Sequence, residues 1–241
     1  MINLQNVYKK FGAGDIALED ISFTIDQGEF VFVVGPSGSG KTTLFRLLTR
    51  ETSPTAGEIH IGEWDIVNLP QNRVSLLRKK IGVVFQDLKL LKERTIFENV
   101  FFPLEVANLD EKNSRVRVEE ILEQVGIAQH RDKFPVQLSG GELQRAAIAR
   151  ALAFSPEILL ADEPTGNLDN DTSWEIVKLL QDINMLGTTI IMATHNTDIV
   201  DRLGKRVLTI EKGKLVKDEK SEKKHASAHS AQVHQHKEEE K

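Results

Sequence analysis

The residues best suited to chemistry stand together in Gly35-Pro36-Ser37-Gly38-Ser39-Gly40-Lys41-Thr42, with Thr43 following. The pattern is G-x-x-x-x-G-K-[ST], and it lies between a continuously apolar segment, residues 30–34, and a helix-like segment beginning near Thr42. Glycines let a backbone wrap closely round phosphates, so that amide N–H groups and a helix N-terminus face the negative charge. Lys41 is then placed to reach the β and γ phosphates, and the Thr42 hydroxyl to bind Mg2+. The expected ligands are a nucleoside triphosphate and Mg2+.

Ile158-Leu159-Leu160-Ala161-Asp162-Glu163 reads as a buried strand that delivers two carboxylates at its C-terminal end, where ligands sit in open α/β sheets. Asp162 is expected to hold the Mg2+ shell. Glu163 is placed to polarise an attacking water as general base, a role worth about 10²- to 10⁴-fold in rate. With the phosphate loop, these carboxylates indicate a P-loop NTPase and leave GTPases, kinases and helicases open.

A later motif narrows the choice. Leu138-Ser139-Gly140-Gly141-Glu142-Leu143-Gln144 resembles the LSGGQ signature of ATP-binding cassette (ABC) ATPases, and a helix is expected to follow it. It is a Ser/Gly turn at a helix N-terminus, again an anion site, too far from Lys41 in the chain to belong to the same loop. The resemblance implies that Ser139 and Gly141 cap the γ-phosphate of ATP held by another subunit, so that a homodimer sandwiches two ATP. It also implies that Gln86 contacts Mg2+ and the attacking water, that Gly166-Asn167-Leu168-Asp169 forms the D-loop, and that His195 lies near the γ-phosphate. Phe11 falls where the family places an aromatic that stacks on adenine, with Tyr8 nearby.

Residues 160–169 resemble the branch of the family that holds cell-division, lipoprotein-release and macrolide-export ATPases. Residues 82–87, 94–100, 187–196, 199–201 and 216–219 favour the cell-division type, and the likeness covers about residues 1–219. What this implies is an ATPase acting with an FtsX-like transmembrane protein, whose movement activates peptidoglycan hydrolases outside the membrane. A transporter ATPase of the release or export type, and a soluble ABC ATPase acting on nucleic acid or translation, are the alternatives. In such proteins a groove between core and helical subdomain receives the membrane partner; here Leu88, Leu90, Leu91, Phe97, Phe101 and Phe102 are its candidate lining, with subdomain core as their plainer role.

These groups require an α/β scaffold to hold them. Ile2 and Leu4, then Ile21, Phe23 and Ile25, alternate apolar with polar as antiparallel strands do, with a turn near Gly12 and Gly14. Residues 30–34, 81–85, 158–162 and 188–194 read as core strands, 57–67 as a hairpin, and a last hairpin turns near Gly213. Helices are expected at 42–50, 142–153 and 172–183, an alternation that implies a parallel sheet without disclosing its strand order. Between about 87 and 137 the pattern is mostly helical, with Val118, Ile121, Leu122 and Val125 at i, i+3, i+4 and i+7.

The expected fold is therefore a P-loop NTPase core of ABC type with an antiparallel β subdomain and an inserted α-helical subdomain at about 87–140. Residues 1–216 would form the ATP-binding domain. From 217 to 241 the chain is polar and holds four of the seven histidines, and it reads as a disordered tail with no assigned function.

The 241 residues include 31 Lys+Arg and 36 Asp+Glu, a net charge of −5 that gives no support to a nucleic-acid binder. The chain has no Cys, which excludes disulfides, thiolate zinc sites and a cysteine nucleophile. No stretch approaches the roughly 18 to 20 apolar residues of a spanning helix, and residues 1–6 lack a signal-peptide pattern. A cytoplasmic protein, peripheral to the membrane through its partner, is expected.

Overall fold

A computed structural model describes residues 1–12 and 14–220, so most of the expected tail, from 221 onward, lies outside the described residues. Its centre is a sheet of order β10-β9-β3-β8-β7-β6, formed by β3 (Phe30–Val34), β6 (Ile81–Val84), β7 (Ile158–Asp162), β8 (Thr189–Ala193), β9 (Arg206–Glu211) and β10 (Lys214–Glu219). Neighbours run parallel except β10, which pairs antiparallel with β9.

The central strands are largely apolar because both of their faces are covered: β3 is so throughout, β7 up to its terminal Asp162 and β8 after its first residue, Thr189. Phe30 and Phe32 of β3, Leu159 and Ala161 of β7, and Ile190 and Met192 of β8 enter one hydrophobic core. The residues between them, Val31, Val33, Leu160, Ile191 and Ala193, enter a second core on the opposite face. The first core is closed by α3 (Ile96–Val106), α4 (Glu111–Gln124), α5 (Gly140–Ala151) and α6 (Asn170–Met185).

The second core is closed by α1 (Lys41–Leu48), α2 (Val74–Lys79) and an antiparallel sheet of order β2-β1-β4-β5. Its strands are β1 (Ile2–Phe11), β2 (Asp15–Ile25), β4 (Ala56–Ile61) and β5 (Trp64–Asp65). Three layers result, with the central sheet in the middle.

The helical subdomain forms as its spacing predicts, for Val118, Ile121, Leu122 and Val125 are all fully buried. Its first helix starts at a capping box in which the Thr95 and Glu98 backbone N–H groups each donate to the other residue's side-chain oxygen, and the buried Asn99 amide donates to the carbonyls of Leu91, Arg94 and Thr95. Of the proposed groove residues, Phe97 is core, and Leu88, Leu90 and Phe101 pack against the core.

Three elements differ from the sequence expectation, and the first is α2, a six-residue helix before β6 where none was anticipated. Helix α7 (Thr197–Leu203), capped by Asn196, follows β8 where no helix was anticipated, because seven residues carry too little periodicity to show. The folded chain also continues past residue 216. Strand β10 runs to Glu219, and Asp218 accepts two hydrogen bonds from the buried Arg206 guanidinium, at 2.8 and 2.7 Å. The polar run Lys217-Asp218-Glu219 looks like tail in the sequence, yet it is an edge strand whose partner lies on β9. No helix among the described residues is long and apolar enough to cross a membrane.

Candidate functional site

Strand order gathers the site. Strand β8 lies between β3 and β7, with Ala193 in register with both Val33 and Asp162. Three chain segments therefore leave the sheet side by side: the phosphate loop after β3, Asp162 and Glu163 at the end of β7, and Thr194-His195 after β8. Hydrogen bonds hold them there, Thr194 N to Val33 O at 3.2 Å and Glu163 N to Ala193 O at 2.9 Å.

They line a cleft of about 530 Å³. Its lining takes in residues 37–43 of the loop together with Gln86, Asp162, Glu163 and His195. Lys41 is buried, and its ammonium donates to the carbonyls of Gly35 at 2.7 Å and Pro36 at 3.1 Å, folded back over the loop. Gly35 (φ 150°) admits no side chain, since a Cβ would stand 2.0 Å from the Ile210 carbonyl oxygen. The loop is thus pressed against β9. Ser39 Oγ is buried there without a hydrogen-bond partner among the described residues. A bare backbone cradle and an orphaned hydroxyl are what a polyphosphate would satisfy.

Thr42 Oγ1 donates to Asp162 Oδ2 at 3.0 Å. Burial pushes the Asp162 carboxyl above its ordinary value, the Thr42 hydrogen bond opposes this, and the neighbouring Glu163 adds to it. A hydroxyl and a carboxylate touching one another form a donor set suited to a hard cation such as Mg2+, which keeps waters and adds phosphate oxygens. Gln86, exposed just after β6, lines the same cleft. Thr42, Asp162 and Gln86 line one cleft, and their oxygen donors fit a cation such as Mg2+.

Glu163 takes a left-handed backbone conformation (φ 48°), unusual for a non-glycine residue and a mark of imposed geometry. Its Oε2 stands 2.9 Å from His195 Nδ1, with the glutamate side chain 12% exposed and the histidine 70%. The carboxylate is thus held in the wall of the cleft by a ring that remains open to solvent.

Two groups of expected site residues lie elsewhere. Phe11, at the end of β1 and partly exposed, is not among the residues lining the cleft; the Lys9 ammonium sits 4.7 Å from its ring centroid. Ser139 and Gly141 line a separate cavity of about 300 Å³ with Asn167, Leu168 and Asp169. Ser139 caps α5 in a capping box with Glu142. Gly141 lets α5 approach α6, for a Cβ there would meet Thr172 Cγ2 at 2.6 Å. The two cavities meet at Asn167, which lines both. Ala17 of β2 also lines the cleft, a residue with no chemical signal in the sequence.

The ABC transporter family profile matches residues 18–166. The chain is 50% identical over 219 residues to the cell division ATP-binding protein FtsE of Bacillus subtilis, covering 91% of this chain and 96% of that one. It is 42% identical over 215 residues to the protein of that name from Escherichia coli, covering 89% and 97%. The dimeric post-hydrolysis structure of the ATP-binding cassette MJ0796 bound to ADP and Pi superposes with a TM-score of 0.83 at 36% identity, covering 92% of this chain and 99% of that chain.

Proposed function

The chain belongs to the ABC transporter family, and from that premise we propose that it is the ATP-hydrolysing subunit of a cell-division complex, a homodimer working with an FtsX-like transmembrane protein. In this reading ATP turnover moves the membrane partner, which activates peptidoglycan hydrolases outside the membrane, and the subunit is peripheral to the membrane through that partner. The likeness to FtsE proteins over nine-tenths of the chain supports the cell-division role. The observation that carries the chemistry is the Glu163–His195 pair facing the phosphate loop across one cleft.

In this mechanism residues 35–43 bind the phosphates, with loop amides and the start of α1 directed at their charge. Lys41 exchanges its two carbonyl partners for phosphate oxygens, a charge-assisted replacement. Thr42, Asp162 and Gln86 would hold Mg2+, which when bound would supply neutralisation of charge on the phosphate oxygens. Glu163 accepts a proton from the attacking water, and His195 keeps its Oε2 aimed while lying close enough to contact the γ-phosphate. Phe11 stacks on adenine. Ser139 and Gly141 of the second copy complete each site, which accounts for their distance from the loop of their own chain.

The test is Glu163→Gln in the full chain. Steady-state ATP hydrolysis should fall about 10²- to 10⁴-fold while affinity for labelled ATP stays within a few-fold, because the cradle survives and only the base is lost. Turnover near the unsubstituted rate would refute the assignment.

A further inference from the structure

The family signature has glutamine where this chain has Glu142, so a full charge stands one turn inside α5, beside the turn that presents Ser139. Both carboxylate oxygens are engaged. Oε2 accepts from the Ser139 amide at 2.7 Å and from the Ser139 hydroxyl at 2.8 Å. Oε1 lies 2.7 Å from Nε2 of His130, which comes from a different segment, the 3-10 turn Ala128–His130 that follows α4. The His130 side chain is 15% exposed, and its Nδ1 is buried without a hydrogen-bond partner among the described residues. The ring therefore engages Glu142 through Nε2 alone. The Lys133 ammonium also exerts its field on this carboxylate.

An anion approaching the signature turn must be met by Ser139, whose hydroxyl is given to Glu142 in this structure. When that hydroxyl turns outward, the carboxylate keeps the Ser139 amide and depends on His130 for its other oxygen. We propose that His130 is a positioning residue for the signature turn: by holding Oε1 it anchors Glu142, keeps Ser139 in place, and draws carboxylate charge away from the phosphate-facing edge. The proposal rests on the reading that Ser139 meets the γ-phosphate held by a second copy. Nothing in the sequence links His130 to the signature, since the link is a side-chain contact between two turns.

The experiment is nucleotide-driven dimerisation of the full chain, followed by light scattering as Mg2+ and the non-hydrolysable analogue adenylyl imidodiphosphate are raised. His130→Ala should raise the half-maximal analogue concentration about tenfold, and His130→Gln, which keeps an N–H donor, should recover most of that loss. In a Glu142→Gln background, where no charge remains to be anchored, His130→Ala should shift the midpoint less than twofold. Binding of a fluorescent analogue to single chains, through a cleft that His130 does not line, checks that each variant is folded. An equal shift in both backgrounds would mean that His130 serves packing alone and would overturn the proposal. Ser139→Arg separates the underlying reading: a normal dimer in that variant, or none in the unsubstituted chain, would overturn the shared site itself.

Discussion

Arg206 offers a quantitative test of how the C-terminal hairpin is held. Its side chain is 7% exposed, with Nε and Nη2 on the Asp218 carboxylate, Nη1 on the Thr24 carbonyl at 2.7 Å, and Nη1 on both Glu29 oxygens at 3.2 Å. One guanidinium thus joins β9, β10, the end of β2 and the residue that precedes β3. Arg206→Met keeps apolar volume but strands two carboxylates and a carbonyl. Breaking a fully buried pair costs about 3–5 kcal/mol. Asp218 and Glu29 are 33% and 26% exposed, so water recovers part of their solvation and the lower end applies.

The expected loss is about 3 kcal/mol, or a melting temperature lower by about 6–12 °C for a chain of this size. Urea denaturation at neutral pH and thermal melts measure it directly. A second comparison isolates the same contact: a chain ending at 216, which lacks Asp218, should be less stable than one ending at 220. A loss below about 1 kcal/mol would show that the cluster is screened like a surface ion pair and would refute the reasoning.

Asp162→Asn removes a charge that burial disfavours while keeping an acceptor for Thr42, so the nucleotide-free protein should melt about 2–4 °C higher, equivalent to about 1 kcal/mol. The same variant should lose about 10- to 100-fold in Mg2+-dependent hydrolysis, and a variant that is less stable, or equally active, contradicts the account. Gly35→Ala forces a Cβ to within 2.0 Å of a backbone oxygen, so ATP affinity should fall more than about tenfold at a stability cost of about 3 kcal/mol. Unchanged affinity in a titration with labelled ATP would show that the loop accommodates a side chain.

Acid should weaken the helix starts. The Glu98, Glu142 and Asp169 carboxyls are held below their ordinary 4.5, 4.5 and 3.8, chiefly by the backbone N–H groups of Thr95, Ser139 and Thr172. Their contribution is complete above those ordinary values and is lost as pH falls through the depressed ones, so the urea midpoint should drop below about pH 4. Asp162 works in the opposite sense, since its raised pKa means that protonation relieves a cost. A urea midpoint that rises from pH 4 to pH 3 would place the capping carboxylates in error.

The amino-acid sequence was sufficient for every element whose signal is local. Core strands β3, β7 and β8 declare themselves because a doubly covered strand is a nearly continuous apolar run, and the amphipathic face of α4 repeats with the helical period. The phosphate loop and the Asp162-Glu163 pair are equally legible, because close approach to phosphate demands bare backbone and Mg2+ chemistry demands oxygen donors. What the sequence could not determine depends on which segments become neighbours. Placing β8 between β3 and β7 is what sets His195 against Glu163 and Thr42 against Asp162. The reach of the fold to Glu219 rests on Arg206 finding Asp218 across a strand pair, while the polar run that carries Asp218 resembles tail. Ala17 enters the cleft, and His130 reaches the signature turn, only through contacts between separated segments. Composition and periodicity report burial and backbone preference along the chain, whereas pairing of distant groups is a property of register and packing and exists only in the folded molecule.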